Sequence, residues 1–340
     1  MSDDRPILGC TMGDPAGIGP EITVATLAQP PEGVQARGIA IGDAAVARRA
    51  VEVCGLDVDV RVVSDVSEAT FERGGIDVLD TGVLDEPPAF GEVAQECGRA
   101  AIAAIEAATT ACLDGTMQAM VTAPIHKEAI WETGTEHLGH TEMLGELTGA
   151  ASPETMFFVK ELKIFFTTRH MSLADAVAKV DRDTVATAID HSLTALRVLG
   201  HDEPVLAVAA LNPHNGENGN FGRTELDAIG PACDAARDGG ADVRGPIPGD
   251  SVFHQGIQGR FPAVLCHFHD QGHIAAKTVD FDGAVSVTMG LPIIRTSVDH
   301  GTAFDIAGSG EASAATMRSA FAAGARFAPY AERAKATYGP

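Results

Sequence analysis

The sequence predicts an α/β fold with a largely parallel central sheet, organised as two sub-domains. Short apolar runs alternate with longer stretches of helical pattern along the chain. Several of these runs are rich in Val, Ile and Ala without strict alternation, which is typical of strands covered on both faces. The chain has 340 residues, 45% of them hydrophobic. That is enough for two sub-domains of roughly 150 residues, each with its own hydrophobic core.

The apolar runs and the stretches between them define the elements in chain order. Strands are predicted at 6–12, 38–43, 58–64, 76–82, 119–124, 163–169, 205–211, 263–268 and 284–290. Helices are predicted at 20–29, 43–54, 90–114, 182–199, 222–238 and 311–334. This alternation favours parallel strands joined by helical crossovers. Since no repeat or flexible linker separates two lobes, we expect them to be closely joined around a pocket.

The chain is strongly acidic, with 24 Lys and Arg against 47 Asp and Glu and a formal net charge of −23. Such a surface repels nucleic acid and anionic membranes, because both need a basic face to bind. Two interpretations stay open: adaptation to a high-salt cytoplasm, where ions screen the self-repulsion, or an ordinary acidic cytosolic enzyme. In either case an anionic substrate needs a local basic pocket.

The sequence shows no feature of export or membrane insertion. No apolar run approaches the roughly 18–20 residues that span a bilayer, and the acidic start MSDDRPILGC is unlike a signal peptide. Six cysteines are scattered without a CxxC pair, which favours a reducing compartment over a disulfide framework. We therefore expect a cytoplasmic protein without membrane partners.

Two regions between a strand and a helix carry polar groups. In TMGDPAGIGPEI (11–22) the glycines allow a tight turn, and the helix start that follows can bind an anion. The spacing matches neither the dinucleotide nor the P-loop fingerprint, so a purely structural turn is equally open. After the strand at 119–124, Lys127, His140 and Thr141 are site candidates, with helix capping as the simpler alternative.

Histidines recur where apolar strands end. His170, His214 and His269 each lie at or just past such an end. Because ligand sites in open α/β sheets gather at the carboxyl ends of strands, three imidazoles there predict a transition-metal site, most plausibly for zinc. Within CHFHDQGH (266–273), His267 and His269 share one face if the strand continues through them. Each histidine alone also fits an ordinary polar strand end.

Several motifs in order resemble the family of 4-hydroxythreonine-4-phosphate dehydrogenase and its sugar-acid paralogues, along nearly the whole chain. The motifs that carry the resemblance are GDPAGIGPE, TAPIHK, GHTEM, TTRHMSL, LNPHNGENGNFG, HDQG and GLPIIRTSVDHGT. The resemblance implies the two-lobed fold of isocitrate and isopropylmalate dehydrogenases, with a cleft between the lobes. Residues 1–125 and 295–340 would form the first lobe, and residues 126–294 the second lobe with the metal ligands and a dimer interface.

The resemblance also implies the binding residues. HGTAFDIAG (300–308) is similar to the cofactor loop of those dehydrogenases, which implies contacts to NAD or NADP and explains the missing dinucleotide fingerprint. The implied cofactor contacts are His300, Gly301, Thr302 and Asp305. The implied ligands of one divalent ion (Zn, Co or Mg) are His170, His214 and His269, in a homodimer whose partner subunit supplies His269. The implied substrate contacts are His140, Thr141, Lys277, Arg295 and the position of Ser286.

The implied reaction is oxidation of a secondary alcohol by NAD(P)⁺ followed by decarboxylation of a small 4-phosphorylated 3-hydroxy acid. Position alone makes Lys127, Asp250 and Asp270 candidates for the acid and base. The expected substrate is 4-phosphooxy-L-threonine, with 4-phospho-D-threonate or 4-phospho-D-erythronate as the alternative. Ser286 replaces the usual family asparagine, so we expect an altered substrate contact there. A phosphate acyltransferase is the rival from another class, but it would need no histidine triad.

Overall fold

The computed structural model describes residues 4–137 and 139–339. The chain divides into two compact units. The first unit comprises Met1–Glu154 and Val285–Pro340, so both ends of the chain belong to it, and the second comprises Thr155–Ala284.

The described residues form twelve strands and twelve α-helices. The strands are β1 (Ile7–Thr11), β2 (Arg37–Gly42), β3 (Asp59–Val63), β4 (Gly75–Asp80), β5 (Ala119–Thr122), β6 (Glu154–Val159), β7 (Leu162–Phe166), β8 (Val205–Ala209), β9 (Asp242–Ile247), β10 (Ala263–Cys266), β11 (Val285–Met289) and β12 (Arg295–Ser297). The helices are α1 (Gly19–Ala28), α2 (Ala44–Val53), α3 (Gln95–Leu113), α4 (Lys127–Trp131), α5 (His140–Thr148), α6 (Leu173–Ala178), α7 (Arg182–Val198), α8 (Gly230–Asp238), α9 (Gly249–Ile257), α10 (His269–Val279), α11 (Ala315–Phe327) and α12 (Ala331–Tyr338).

The first unit is built on strands in the order β3-β4-β2-β1-β5-β12-β11. These strands pair in parallel, except that β11 and β12 are antiparallel. One face is closed by α3, whose buried Ile105 lies in the same apolar cluster as Ile39 and Met120 of the strands. The carboxyl ends of β1 and β5 therefore point to one edge, where polar side chains can gather.

The boundaries of the first unit differ from the predicted division at 125/126 and 294/295. Residues 126–154 and 285–294, which were predicted for the second lobe, lie in the first unit. The reason is packing: Ile130, Leu144 and Ile293 are buried in the apolar cluster around α3. The division at 125/126 and 294/295 was implied by the family resemblance, whereas buried apolar residues of these segments pack in the core of the first unit.

The second unit is built on strands in the order β6-β7-β10-β8-β9. Strands β6 and β7 form an antiparallel pair, and the other neighbouring strands are parallel. Phe157, Ile164 and Val264 form its apolar core together with Val252 of α9. Because β7, β10 and β8 are adjacent and parallel, the loops that follow them start from one edge of the sheet.

Several predicted elements have different bounds in the structure. The strand predicted at 263–268 ends at Cys266, because α10 begins at His269, and the helix predicted at 311–334 is divided by the short turn Ala328–Tyr330 that contains Pro329. Strands β6, β9 and β12 were not predicted; β12 is only three residues long and polar, and pairing with β5 and β11 makes it a strand.

Among the described residues, no helix is both long and apolar enough to cross a membrane.

The acidic composition leads to a prediction about salt. With a net charge of −23, repulsion between like charges opposes folding, and added ions screen it. We expect the melting temperature to rise between about 0.1 M and about 2 M KCl, beyond the range in which exposed charges are already largely screened. A non-electrolyte at equal osmolality is the control. A melting temperature that is flat in KCl, or rises equally in the control, would contradict the salt-adapted interpretation.

Candidate active site

Three histidines follow the three adjacent strands of the second unit. His170 comes four residues after β7, His214 five residues after β8, and His269 three residues after β10, where it opens helix α10. Because these strands are parallel neighbours, all three loops leave the sheet at the same edge. The sequence expectation that these side chains follow strand ends is therefore matched by the topology.

His170 and His269 form a close pair, with ring centroids 5.8 Å apart and ring planes inclined by 44°. Two imidazoles on one tetrahedral zinc, with Zn–N distances of about 2.0–2.1 Å, would have centroids roughly 5 Å apart. The spacing of the two rings is therefore compatible with one shared divalent ion. These are nitrogen donors of the kind that transition metals prefer.

The His269 ring is held from two sides. Its Nδ1 hydrogen-bonds to Oδ1 of Asp270 at 2.7 Å, which leaves Nε2 for a metal. The ring also stacks on His273 at 3.8 Å with the planes nearly parallel. A carboxylate on the second ring nitrogen is how metal-binding histidines are commonly oriented. Asp270, a candidate acid or base in the sequence, thus contacts a proposed ligand, and His273 packs behind it.

His214 lies in a left-handed turn. Residues 214–218 all have positive φ, with 50° at His214 and 53° at Asn218. Such a backbone costs about 1–2 kcal/mol for each L residue, so the surroundings must enforce it. Glu225 contributes: its buried carboxylate accepts hydrogen bonds from the main-chain N–H groups of Leu211 and Asn212 at 2.9 and 2.6 Å. Burial would raise the pKa of Glu225, but these hydrogen bonds lower it overall.

A single chain does not assemble the three-ligand site. Within residues 4–137 and 139–339, no group of three His, Cys, Asp or Glu side chains is close enough to hold a metal. The structure brings together His170 and His269, and it presents His214 as an exposed side chain on its own loop. The three-histidine site stays a prediction, and one chain brings together only two of its three proposed ligands.

His267 and His269 do not share a face, contrary to the expectation for a continuing strand. The strand ends at Cys266, so His267 turns into the interior and is fully buried, while the His269 side chain keeps 41% of its surface exposed. The His267 Nε2–H donates to the carbonyl oxygen of Ala209 at 2.7 Å, and Thr167 Oγ1 lies 3.1 Å from Nδ1. Burial lowers the pKa of His267 to about 4, so this imidazole is neutral at physiological pH.

In the first unit, Arg295 is buried among hydroxyl groups. Its Nε and Nη2 donate to Oγ1 of Thr122 at 3.1 and 2.8 Å, and its Nη1 donates to Oγ1 of Thr288 at 2.9 Å. Only 6% of the residue is exposed. Burial lowers the pKa of Arg295 to about 10, against the opposing effect of Glu142, so the guanidinium stays charged at neutral pH. A buried cation with hydroxyl partners is well suited to bind a phosphate or carboxylate.

Ser286, another predicted substrate contact, lies in the same pair of strands as this arginine. The Ser286–Ser297 and Thr288–Arg295 pairs of β11 and β12 lie directly opposite one another, so all four side chains share one face of the strands. Ser286, where the family resemblance implies an asparagine, is thus on the face that carries the guanidinium. Thr141 lies in the first turn of α5, and Lys277 lies on α10 of the second unit, with its ammonium 5.5 Å from the Phe281 ring.

His140 opens helix α5 beside this arginine. Its Nε2 is buried and has no hydrogen-bond partner among the described residues. Burial and the positive charge of Arg295 hold the pKa of His140 well below its usual range, so the imidazole is neutral. A neutral ring with an unpaired buried nitrogen, at the start of a helix and next to a guanidinium, is a suitable group to hydrogen-bond an anionic substrate.

The glycine-rich motif at 11–22, whose role the sequence left open, contacts the predicted cofactor loop. The N–H of Ile18 donates to the carbonyl oxygen of Thr302 at 3.0 Å, and the N–H of Gly308 donates to Oε1 of the buried Glu21 at 2.8 Å. A Cβ on Gly17 would lie 2.9 Å from the oxygen of Thr302, so only glycine allows this approach. The motif therefore shapes the loop at 300–310.

Residues of the cofactor loop differ in their exposure. Gly301 and Asp305 are exposed, and Thr302 is buried. His300 hydrogen-bonds through Nε2 to Oγ1 of Thr316, at the start of α11. Phe304, which the sequence did not single out, stacks on His126 with ring centroids 4.7 Å apart.

The remaining acid–base candidates, Lys127 and Asp250, are exposed in the first turns of α4 and α9.

Comparison with known proteins shows the family to which the chain is similar. The family described as pyridoxal phosphate biosynthetic protein PdxA matches residues 34–324. A protein of Cutibacterium acnes, provisionally named D-threonate 4-phosphate dehydrogenase, is 52% identical over 337 residues, covering 98% of this chain and 97% of that protein. A protein of Symbiobacterium thermophilum with the same provisional name is 48% identical over 327 residues, covering 96% and 98%. The crystal structure of 4-hydroxythreonine-4-phosphate dehydrogenase from Klebsiella pneumoniae has a TM-score of 0.90 at 38% identity, covering 96% of this chain and 98% of that one.

The fold and these relatives define the class of protein, which is an oxidoreductase of the dehydrogenase type. The chain belongs to the PdxA family, as its motifs indicated. The α/β fold class predicted from the sequence is confirmed by the solved neighbour.

Proposed function

We propose that the protein oxidises and decarboxylates a 4-phosphorylated 3-hydroxy acid, using NAD⁺ or NADP⁺ and one divalent ion. The observation that carries the proposal is the buried Arg295, whose three hydrogen bonds to described residues all go to hydroxyl oxygens. A bound oxyanion would complete the surroundings of this charge. The family match supports a dehydrogenase reaction, and this arginine supports an anionic substrate.

The relatives support D-threonate 4-phosphate as the first substrate to test. Relatives at 52% and 48% identity carry that name, whereas the solved 4-hydroxythreonine-4-phosphate dehydrogenase is 38% identical. This reverses the order expected from the sequence, in which 4-phosphooxy-L-threonine came first. The two acids differ at C2, which bears a hydroxyl or an amino group, and Ser286 in place of an asparagine is a further reason to test the hydroxy acid first.

The proposed chemistry balances as two steps. Hydride leaves C3 of the substrate for the nicotinamide, and the hydroxyl proton goes to a base, which leaves a ketone beta to the carboxylate. The C1–C2 bond then breaks with release of CO₂, and its electron pair forms an enol that is protonated at C2. When bound, the ion supplies positive charge that favours loss of the alcohol proton and polarises the ketone.

The chain's own residues have separate tasks in this proposal. Arg295 and the neutral His140 bind an oxyanion of the substrate and fix its orientation. His170, His214 and His269 hold the ion, and Asp270 fixes the orientation of His269. Lys127 and Asp250 remain candidates for proton transfer. The loop of His300, Gly301, Thr302 and Asp305 is the proposed cofactor contact.

Six free cysteines fit a reducing compartment, so the cytoplasm is the proposed location.

A substrate panel tests the function. The purified protein is assayed with D-threonate 4-phosphate, D-erythronate 4-phosphate and 4-phosphooxy-L-threonine, using NAD⁺ and NADP⁺, with and without added metal and at two salt concentrations. We expect reduced cofactor and CO₂ in equal amounts. Reduced cofactor without CO₂ would indicate a simple dehydrogenase. No turnover of any member, together with acyl transfer from acyl-CoA to phosphate, would favour the acyltransferase instead.

A homodimer with shared metal sites is part of the proposal. Large apolar side chains are exposed close in sequence to each of the three histidines, which is unusual for a surface that only meets water. They are Met171, Leu173, Phe221, Leu226, Ile274 and Phe281. Since one chain brings together only His170 and His269, a second copy is the proposed source of the third imidazole.

Mixed dimers test the sharing. A His214→Ala chain and a His269→Ala chain, each inactive alone, are mixed under conditions in which subunits exchange. We expect about a quarter of the wild-type activity, because half of the dimers are mixed and each mixed dimer has one complete site. Mixed dimers that form without activity would contradict sharing.

A second mixture identifies the chain that supplies His170. If one chain contributes both His170 and His269, as their 5.8 Å separation suggests, mixing His170→Ala with His269→Ala restores nothing. The family resemblance, in which the partner supplies His269 alone, implies recovery in this mixture too. The two mixtures together therefore decide between the arrangements.

A further inference from the structure

We propose that His267 is a positioning residue that fixes the relative placement of the three strand ends from which His170, His214 and His269 project. The inference rests on the proposed metal site, but it concerns a side chain that is itself no ligand. His267 is fully buried at the end of β10, the middle one of the three strands.

The imidazole connects the strands on either side of β10. Its Nε2 lies 2.7 Å from the carbonyl oxygen of Ala209, the last residue of β8. A carbonyl can only accept, so Nε2 carries the proton and Nδ1 is the acceptor. The hydroxyl of Thr167, the first residue after β7, donates to that Nδ1 at 3.1 Å. One planar ring thus joins the strand that leads to His214 with the strand that leads to His170.

The main chain of His267 strengthens both connections. Its carbonyl oxygen accepts from the N–H and the hydroxyl of Thr168 at 3.2 and 2.7 Å. Its N–H donates to Oε1 of Gln271 at 2.8 Å, and Nε2 of the same Gln271 donates to the carbonyl oxygen of Ala210 at 2.9 Å. We call His267 and Gln271, with these hydrogen bonds, the strand-end clamp.

The clamp acts beyond the last registered pair of β10 and β8. The register of β10 with β8 ends at Leu265 and Val208, yet His214 lies six residues beyond Val208. That segment enters a left-handed turn, which is costly to maintain. Glu225 holds the N–H groups of Leu211 and Asn212 in this loop, and the clamp adds the direct connections from β10 to Ala209 and Ala210. Small errors in ligand position matter, because metal sites tolerate deviations of only about 0.2 Å in ligand distance.

The simpler alternative is that His267 only stabilises the core. Its two ring nitrogens allow the alternatives to be separated, because the amide of glutamine can replace Nε2 and that of asparagine can replace Nδ1. His267→Gln keeps the connection to Ala209 and His267→Asn keeps the one to Thr167, whereas His267→Leu fills the space and keeps neither. Val264→Ala, also buried on β10 but without side-chain hydrogen bonds, is the matched control for lost stability.

The test is titration of the metal-free, full-length protein with Co²⁺, followed by the visible absorption spectrum and the dissociation constant. We expect His267→Leu to weaken Co²⁺ binding about tenfold or more and to shift the absorption bands, with His267→Gln and His267→Asn in between. Val264→Ala should melt at a lower temperature but keep the parent spectrum. If all three His267 variants keep the parent spectrum and affinity, or change no more than Val264→Ala, the positioning role is wrong.

The same titration separates this proposal from the metal site itself. His269→Ala should lose the Co²⁺ spectrum. If it binds Co²⁺ like the parent protein, the metal site is wrong, whatever the His267 variants do. If His269→Ala loses the spectrum while every His267 variant keeps it, only the clamp is refuted. Should His267→Leu fail to fold, the glutamine and asparagine variants still decide the question.

Discussion

Replacing His269 with alanine should lower kcat/KM by at least about a hundredfold. The ring forms a close pair with His170 and is oriented by Asp270 and His273, so it is the best-positioned of the three proposed ligands. Without it, a divalent ion would keep fewer imidazoles, bind weakly and no longer fix the substrate for hydride transfer. The measurements are kcat/KM with the best substrate of the panel and the metal content of the purified protein.

The control for this variant is His254→Ala, which removes an exposed histidine of α9 in the same unit and should leave kcat/KM and metal content unchanged. Chelation should reproduce the loss in the wild-type protein, with recovery on adding zinc, cobalt or magnesium. Full activity after metal removal verified by elemental analysis would contradict a metal-dependent mechanism altogether.

The fold class could be predicted from the sequence because buried strands and helices leave strong local patterns. The elements that were missed lack such patterns. Strand β12 is the tripeptide Arg-Thr-Ser, and it is a strand only because β5 and β11 pair with it on both sides. The helices α4 and α5 were missed because they are short. The division into two units differs from the predicted one because Ile130 and Leu144 are buried in a core that local sequence does not reveal.

The sequence predicted which types of residue form the candidate site, but it did not predict how they are arranged. Histidines at strand ends were visible from the sequence, but the local pattern alone could not separate His267 from His269. Although these histidines are two residues apart, His267 turns inward, where it joins three strands, and His269 opens a helix beside His170. That difference accompanies the end of β10 at Cys266, beyond which the His267 N–H donates to Gln271 and its ring accepts from Thr167, two residues far apart in the chain.

The hydroxyls of Thr122 and Thr288 were also invisible in the sequence. Threonine is common in strands, and nothing in TAPIHK or TMGLP marks these two as partners of a cation. They come together because β12 pairs with β5 on one side and β11 on the other, so that the arginine at the start of β12 reaches both. A signal was nevertheless present: an arginine inside an apolar, Ile-rich segment needs a partner when it is buried.

Arg295→Met should lower kcat/KM by the equivalent of about 2–5 kcal/mol, or roughly thirty- to fivethousandfold. Methionine fills much of the same volume but removes a buried, charged fork of donors that a substrate oxyanion would meet. Arg295→Lys keeps the charge and loses the fork, so its kcat/KM should lie between that of methionine and that of the wild type. The measurements are kcat and KM for each variant, together with competitive inhibition by a substrate analogue that cannot be oxidised.

Two controls keep this result interpretable. Arg318→Met removes an arginine of α11 whose guanidinium donates to the main-chain oxygens of Gln29 and Ala25, and it should leave both kcat and KM unchanged. Melting temperatures show whether Arg295→Met is folded, since Thr122 and Thr288 can still hydrogen-bond each other or water after the charge is gone. If folded Arg295→Met keeps kcat/KM within about threefold of the wild type, the guanidinium does not bind the reacting substrate. The anionic group would then have to be held elsewhere, and Lys277 would be the next residue to replace.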